Sequence, residues 1–143
     1  MTKKFDATGL SCPVPLDIPK TKPVKQESVD PKQKIMVFIS TDRVGFGDDE
    51  LGKKLMINFI KTLNEMGDEL WRLAFVNNGV KLAVEGSPVI EYLMAHETEG
   101  VHILVCGTCL DYFDLLGDKK VGDTTNMLDI VTAMQLADKV ISI

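Results

Sequence analysis

Three cysteines carry the clearest chemistry in this 143-residue sequence. Cys106-Gly107-Thr108-Cys109 spaces two of them so that one thiol can resolve a persulfide or mixed disulfide made on the other. The pair follows the apolar run Val101 to Val105 and leads into a short helical pattern, Cys109 to Leu116. A thiol beside a helix N-terminus is expected to have a lowered pKa, so that more of it is thiolate, the form that reacts. On that local ground Cys109, nearer the helix start, is favoured, with backbone amides there to stabilise a charged intermediate. Cys12 is the third candidate, a thiol on the proline-stiffened stretch Ser11-Cys12-Pro13-Val14-Pro15. Two other readings of the pair stay open, inert core cysteines and a thioredoxin-like dithiol. Zinc would need two more ligands, and the sequence offers only His96 and His102 and no second cysteine pair. No metal and no organic cofactor are expected.

Other motifs carry less. Gly45-Phe46-Gly47 lacks the third glycine of a dinucleotide fingerprint, because Glu50 stands in its place. Asp48, Asp49 and Glu50 would repel phosphate and read as a helix start, so a nucleotide site is rejected. Asp111, Asp114 and Asp118 read as a solvated helix face. Phe59, Trp71, Phe75 and Tyr92 fit core positions, and the seven methionines read as core filling.

The elements that must hold the thiols become regular from Lys34 onward. Ile35 to Ser40 is a continuous apolar run, as in a strand buried on both faces. A helix opening at Asp48-Asp49-Glu50 carries Leu51, Leu55, Phe59, Ile60, Leu63 and Met66 at helical spacing, with Gly67 placed to end it. Leu70 to Val76 is a second strand, closed by Asn77-Asn78-Gly79. Gly86-Ser87-Pro88 reads as a helix start, with Ser87 as N-cap and Pro88 at the first helical position. Val101 to Val105 is the third strand. Asn126 to Ala137 is the last helix, with Met127, Ile130, Val131, Met134 and Leu136 on or near one face, and Val140 to Ile143 is a closing strand. Strands alternating with helices predict a three-layer α/β/α fold with a mainly parallel sheet. Sites in such sheets form in the loops at the carboxyl ends of strands, here Thr41 to Gly47, Asn77 to Val80 and Cys106 to Cys109.

Composition bounds the function. A 45% hydrophobic and 26% charged chain is ordinary for a globular protein, and no apolar run approaches a membrane span. The net charge of −5 argues against nucleic acid as the main partner. Met1 to Asp6 leads into no apolar stretch, so no secretory signal is expected, and free thiols fit a reducing cytoplasm. Five of the six prolines fall in the first 31 residues, which leaves no room for a normal helix between Pro13 and Pro31. Residues 1–32 are therefore expected to be an arm or linker, and 33–143 the folded domain.

Gly47-Asp48-Asp49-Glu50-Leu51-Gly52, Asn78-Gly79-Val80-Lys81-Leu82, Gly86-Ser87-Pro88-Val89 and Cys106-Gly107-Thr108-Cys109-Leu110 occur in that order. Val121-Gly122-Asp123 and Asn126-Met127 follow them. This part of the chain resembles the DsrE/DsrF-like sulfur-relay proteins, and more specifically the C-terminal domain of YedF-type selenium-metabolism proteins. Asp6-Ala7-Thr8-Gly9-Leu10-Ser11-Cys12-Pro13-Val14-Pro15-Leu16 is similar to the opening of TusA-type (SirA-like) carriers. Pro19 and Pro23 interrupt the helix that this motif opens in those carriers, so the arm reads as an incomplete TusA-like segment.

The resemblance implies a DsrE/DsrF-like fold of flavodoxin-like topology and a sulfurtransferase-like relay. A cysteine thiolate would accept a persulfide sulfur, or its selenium equivalent, from a donor protein and pass it to an acceptor protein. Aligned with relay subunits, the reactive position falls at Cys106, while the local reading favours Cys109; Cys12 is the carrier-type candidate. Proteins of this kind associate, so a homo-oligomer is expected. A Cys-x-x-Cys oxidoreductase and a non-catalytic partner-binding module are the alternatives.

Overall fold

The computed structural model describes residues 32–143; Cys12 and the rest of the expected arm before Lys32 lie outside them. Strand β1 (Ile35–Ile39) has Met36, Val37 and Ile39 wholly buried, as a continuous apolar run requires. It is followed by α1 (Asp49–Thr62), β2 (Leu70–Phe75), α2 (Ile90–Thr98) and β3 (His102–Cys106). The chain ends with α3 (Gly107–Tyr112), β4 (Asp123–Thr125), α4 (Met127–Leu136) and β5 (Lys139–Ser142). The five strands form one sheet in the order β4-β3-β2-β1-β5, and every pairing is parallel. With helices packed on it, this is the three-layer α/β/α fold expected from the alternation of elements. As in the flavodoxin sheet, one edge strand flanks β1 on the side away from the others; here that strand is the last of the chain, not the second.

Side chains alternate across a strand, so the pairing register assigns the faces. Val37, Ile39, Leu73, Phe75, Ile103 and Val105 share one face, and all six are fully buried. Burying a side chain the size of Phe75 contributes about 1.5–3 kcal/mol. Met36, Phe38, Arg72, Ala74, His102, Leu104 and Cys106 share the other face, which is more polar. There α4 buries Ile130 and Ala133 and leaves a cleft of about 360 Å³ bordered by Arg72, His102, Thr132 and Leu136.

Several local expectations shift. Asp48 caps α1, its Oδ1 accepting the Leu51 N–H at 2.8 Å, as the acidic start suggests. The buried stripe of α1 is Gly52, Met56 and Ile60, while Leu51 and Leu55 are exposed. Gly52 turns this stripe inward: a Cβ there would lie 3.0 Å from Arg43 Cβ, so the helix seats its glycine against the preceding loop. Helix α2 begins at Ile90, not at Pro88; Ser87 Oγ instead accepts the Val89 N–H at 3.3 Å in a turn that precedes the helix. On α4, Met127, Val131 and Leu136 are exposed, because a ten-residue helix on this face offers the sheet only a narrow stripe. Tyr92 is exposed on α2, whereas Phe75 is buried and Phe59 and Trp71 pack against the core. Strand β4, three residues long, has no hydrophobic alternation by which to be read from the sequence.

Candidate functional site

The carboxyl ends of β1, β2 and β3 are neighbours, so the three loops singled out by the sequence come to one edge of the sheet. The Val76 N–H donates to the Ile39 carbonyl at 3.0 Å, and the Gly79 N–H to the Val76 carbonyl at 2.9 Å. A Cβ on Gly79 would stand 2.3 Å from the Ile39 carbonyl oxygen, so only glycine lets the second loop lie this close to the first. Asn77, at the start of that loop, adopts a left-handed conformation with φ of 51°. Asparagine tolerates this region better than most residues, so its place before Asn78-Gly79 is consistent with a tight reversal.

That reversal aims a backbone donor at a thiol: the Asn77 N–H donates to Cys109 Sγ at 3.1 Å. Cys106 closes β3 and caps α3, its Sγ accepting the Cys109 N–H at 3.4 Å. The helix thus begins at Gly107, three residues earlier in the chain than Leu110 and two before the start the sequence suggests. The residue at its N-cap is Cys106, not Cys109. Cys106 is buried on the α4 face, and Cys109 is half-buried at the rim. A partner can therefore touch Cys109 directly, with Cys106 behind it.

The expected lowering of the Cys109 pKa is not what its surroundings produce. Burial raises the thiol above its ordinary value, and the hydrogen bond with the Cys106 side chain raises it further. The Asn77 amide pulls the other way. Burial disfavours the charged form and the neighbouring thiol adds to it, while a single amide offsets only part of the two. Ionising Cys109 is thus harder than ionising a free thiol.

Beside the thiols, a cleft of about 580 Å³ is lined by Thr41, Arg43, Phe46, Asp49, Asn78 and Ile143, among others. Its wall at Asn78 is one residue from the amide that touches Cys109. Arg43 is occupied within it, donating to Asp42 at 2.9 Å and pairing with Asp49 at 2.8 Å. Both histidines lie at the other end of the sheet. His96 is buried, with Nε2 3.0 Å from the Ile60 carbonyl, and His102 pairs with Asp123 at 2.8 Å at the start of β3. His102 and Cys106 are the two ends of one strand, about 13 Å apart by strand geometry. Among the described residues, no group of three or more His, Cys, Asp and Glu side chains is placed to hold a metal ion. No described helix is long and apolar enough to cross a membrane. Sequence reasoning named the Asn77 to Val80 loop but gave Asn77 no role; the signal was an asparagine two residues before a glycine at a strand end. It passed over Phe46, whose only signal was a large apolar residue between two glycines.

The fold is that of the DsrE/DsrF-like proteins. The chain is similar to the ychN protein from E. coli at 18% identity, covering 78% of this chain and 99% of that one with a TM-score of 0.61. It is similar to MTH1491 from Methanobacterium thermoautotrophicum, a protein of unknown function, at 16% identity, 78% and 99% coverage and a TM-score of 0.57. It also matches BT1422 from Bacteroides thetaiotaomicron, a conserved protein of unknown function, at 14% identity, 77% and 95% coverage and a TM-score of 0.51. No protein-family model matches the chain, and no curated protein matches it in sequence. At these identities the likeness establishes the fold alone.

Proposed function

We propose that the chain is a sulfur- or selenium-relay protein of the cytoplasm, in which Cys109 takes up and passes on a persulfide sulfur or its selenium equivalent. The observation that carries this reading is the half-buried Cys109 Sγ, at the carboxyl edge of a parallel sheet, accepting the Asn77 amide at 3.1 Å. In a donor persulfide, R–S–SH, the outer sulfur is the atom transferred. The Cys109 thiolate attacks it, a bond forms between Sγ and that sulfur, and the donor S–S bond breaks. The donor thiolate leaves with the electron pair and takes up the proton released by Cys109. An acceptor thiolate then repeats the exchange on the outer sulfur of the Cys109 persulfide, with no net redox change. The Asn77 N–H is placed to stabilise negative charge on Sγ. The donor, the acceptor and a second copy of the chain are the expected partners, as the resemblance to YedF-type proteins implies.

A second reading, dithiol–disulfide exchange, is favoured by the closeness of the two cysteines, with Cys106 Sγ accepting the Cys109 N–H at 3.4 Å. Cys106 would attack Cys109 Sγ in a mixed disulfide and expel the partner's thiolate. Intact mass after incubation with a polysulfide separates the two, on wild type, Cys106→Ser, Cys109→Ser and Cys12→Ser. A reducible gain of one sulfur that survives Cys106→Ser and Cys12→Ser but disappears in Cys109→Ser is expected. A loss of two hydrogens needing both members of the pair would favour the oxidoreductase. A gain that follows Cys12 would overturn the reading.

A further inference from the structure

The edge of the sheet that holds Cys109 is also where large apolar side chains and unpaired acids collect. Phe46, at the tip of the loop after β1, is fully exposed, flanked by Gly45 and Gly47 at φ of 80° and 132°. Tyr112, on the helix after β3, is 83% exposed, and Leu128, in the first turn after β4, is 73% exposed. These three side chains follow three different strands, β1, β3 and β4, whose carboxyl ends share one edge of the sheet with the cysteine loop. The register pairs Cys106 with Thr125, which brings the start of α4 beside the cysteine loop.

The charge at this edge is net negative. Residues 40–50, 77–81, 106–116 and 125–129 hold seven acids and two bases, a net charge equal to the −5 of the whole chain. Arg43 is already paired, and Lys81 lies over the Phe113 ring, 4.5 Å from its centre. Glu50, Asp111 and Asp114 are exposed, and among the described residues they form no ion pair. An anionic rim around a thiol whose ionisation is disfavoured would repel an acidic partner and attract a basic one.

We infer that the carboxyl edge is a docking face for a partner protein that presents its reactive sulfur among lysines or arginines, with Phe46 as the apolar anchor. Aromatic residues seated in a partner's pocket supply a disproportionate share of binding energy, and rim charges act mainly on the encounter rate. The 580 Å³ cleft behind Phe46 ends at Asn78, beside the Cys109 contact, so a side chain entering it would bring its neighbours to the thiol. This inference rests on the relay reading, and it adds what the partner's surface must carry.

The test uses the full chain and two synthetic peptides, each with one cysteine held as a thiopyridyl disulfide. One flanks that cysteine with lysines and a phenylalanine, the other with glutamates and a phenylalanine. The Cys109 thiolate attacks the peptide sulfur, forming the mixed disulfide, and thiopyridone leaves with the electron pair and is read by absorbance. The rate in Cys109→Ser is subtracted. The lysine peptide is expected to react about tenfold faster at low ionic strength, with the advantage shrinking as salt screens it. Glu50→Gln combined with Asp111→Asn and Asp114→Asn is expected to remove most of that advantage, and Phe46→Ala to slow both peptides. Dithiodipyridine, small and uncharged, is expected to react with the acid-to-amide and Phe46→Ala variants as with wild type. Equal peptide rates beside normal dithiodipyridine reactivity would overturn the docking inference and leave the relay reading standing. Unchanged peptide rates in Phe46→Ala would overturn the anchor. Failure of Cys109 to react even with dithiodipyridine would overturn the relay reading itself.

Discussion

The two edges of one sheet differ in what they gather. At the amino edge several polar groups have partners: His96 bonds to the Ile60 carbonyl, His102 pairs with Asp123, and Lys32 with Asp68, while Arg72 Nε is buried without one. The backbone N–H of Lys34 donates to Asp138 at 2.8 Å, tying β1 to the start of β5. The carboxyl edge instead carries a half-buried thiol, a left-handed asparagine, a fully exposed phenylalanine and three acids, Glu50, Asp111 and Asp114, that form no ion pair among the described residues. Cavity size does not separate the edges. A cleft of about 500 Å³ lies at the amino edge around Trp71 and His96, comparable with the 580 Å³ cleft beside the thiols. Neither cleft is lined by a cysteine; what differs is that the carboxyl-edge cleft includes Asn78, next to the residue whose amide meets Cys109, whereas the amino-edge cleft lies at the far end of the strands. Exposed apolar side chains and unpaired acids gathered beside a thiol are what a docking face would need, and only the carboxyl edge brings them together with one.

The substitution expected to do most damage is Gly79→Ala, because it strikes the point where the carboxyl edge is most tightly assembled. The new methyl carbon would sit 2.3 Å from the Ile39 carbonyl oxygen and force the second loop away from the first. A loss of about 3 kcal/mol or more is expected in urea unfolding. Cys109 should also become more reactive toward iodoacetamide, as its contact with Asn77 loosens. A stability change below about 1 kcal/mol would show that the loop can shift freely and that the carboxyl edge is no more constrained than an ordinary surface.

His96→Ala probes the amino edge. It leaves the Ile60 carbonyl without its partner and a space in the core, and about 1–3 kcal/mol of stability should be lost. The rate of Cys109 alkylation in the folded state should stay at the wild-type value. A change in that rate would join the two edges and weaken the comparison.

The smallest effect expected is on the pH dependence of stability. The Cys109 pKa is raised in the folded state from an ordinary value of 9.0, chiefly by burial. The folded chain therefore holds that proton more tightly than the unfolded one. Its contribution to stability is present below about pH 9 and is lost as pH rises through the folded-state pKa. Stability measured between neutral and alkaline pH should fall slightly less in Cys109→Ser than in wild type. A wild-type alkylation rate that reaches its plateau near neutral pH would contradict the direction of the shift.

Much of the fold was legible in local patterns. The run Ile35 to Ile39, the acidic start at Asp48 and the dithiol at the end of β3 are signals within a few residues of one another. They rest on period, capping and burial, which neighbouring residues determine together. The inward turn of Gly52 was less so, because a helical period fixes which residues share a face but not which face meets the sheet. Strand β4 was not legible, since Asp123–Thr125 is a strand only by pairing with β3.

For the site, the sequence by itself determined that two thiols stand at a strand end with two residues between them. It also determined that the loops after β1, β2 and β3 would be the places to look. Only the tertiary structure decided that Cys106 is the buried cap and Cys109 the reachable thiol. It alone decided that Asn77, far off in sequence, supplies the amide to Cys109. The direction of the Cys109 pKa followed from both: helix position, a local property, argues for lowering, while burial raises it. Burial is a property of packing, set by chain segments that meet only when the sheet has formed, and so it had no local sign to be read from.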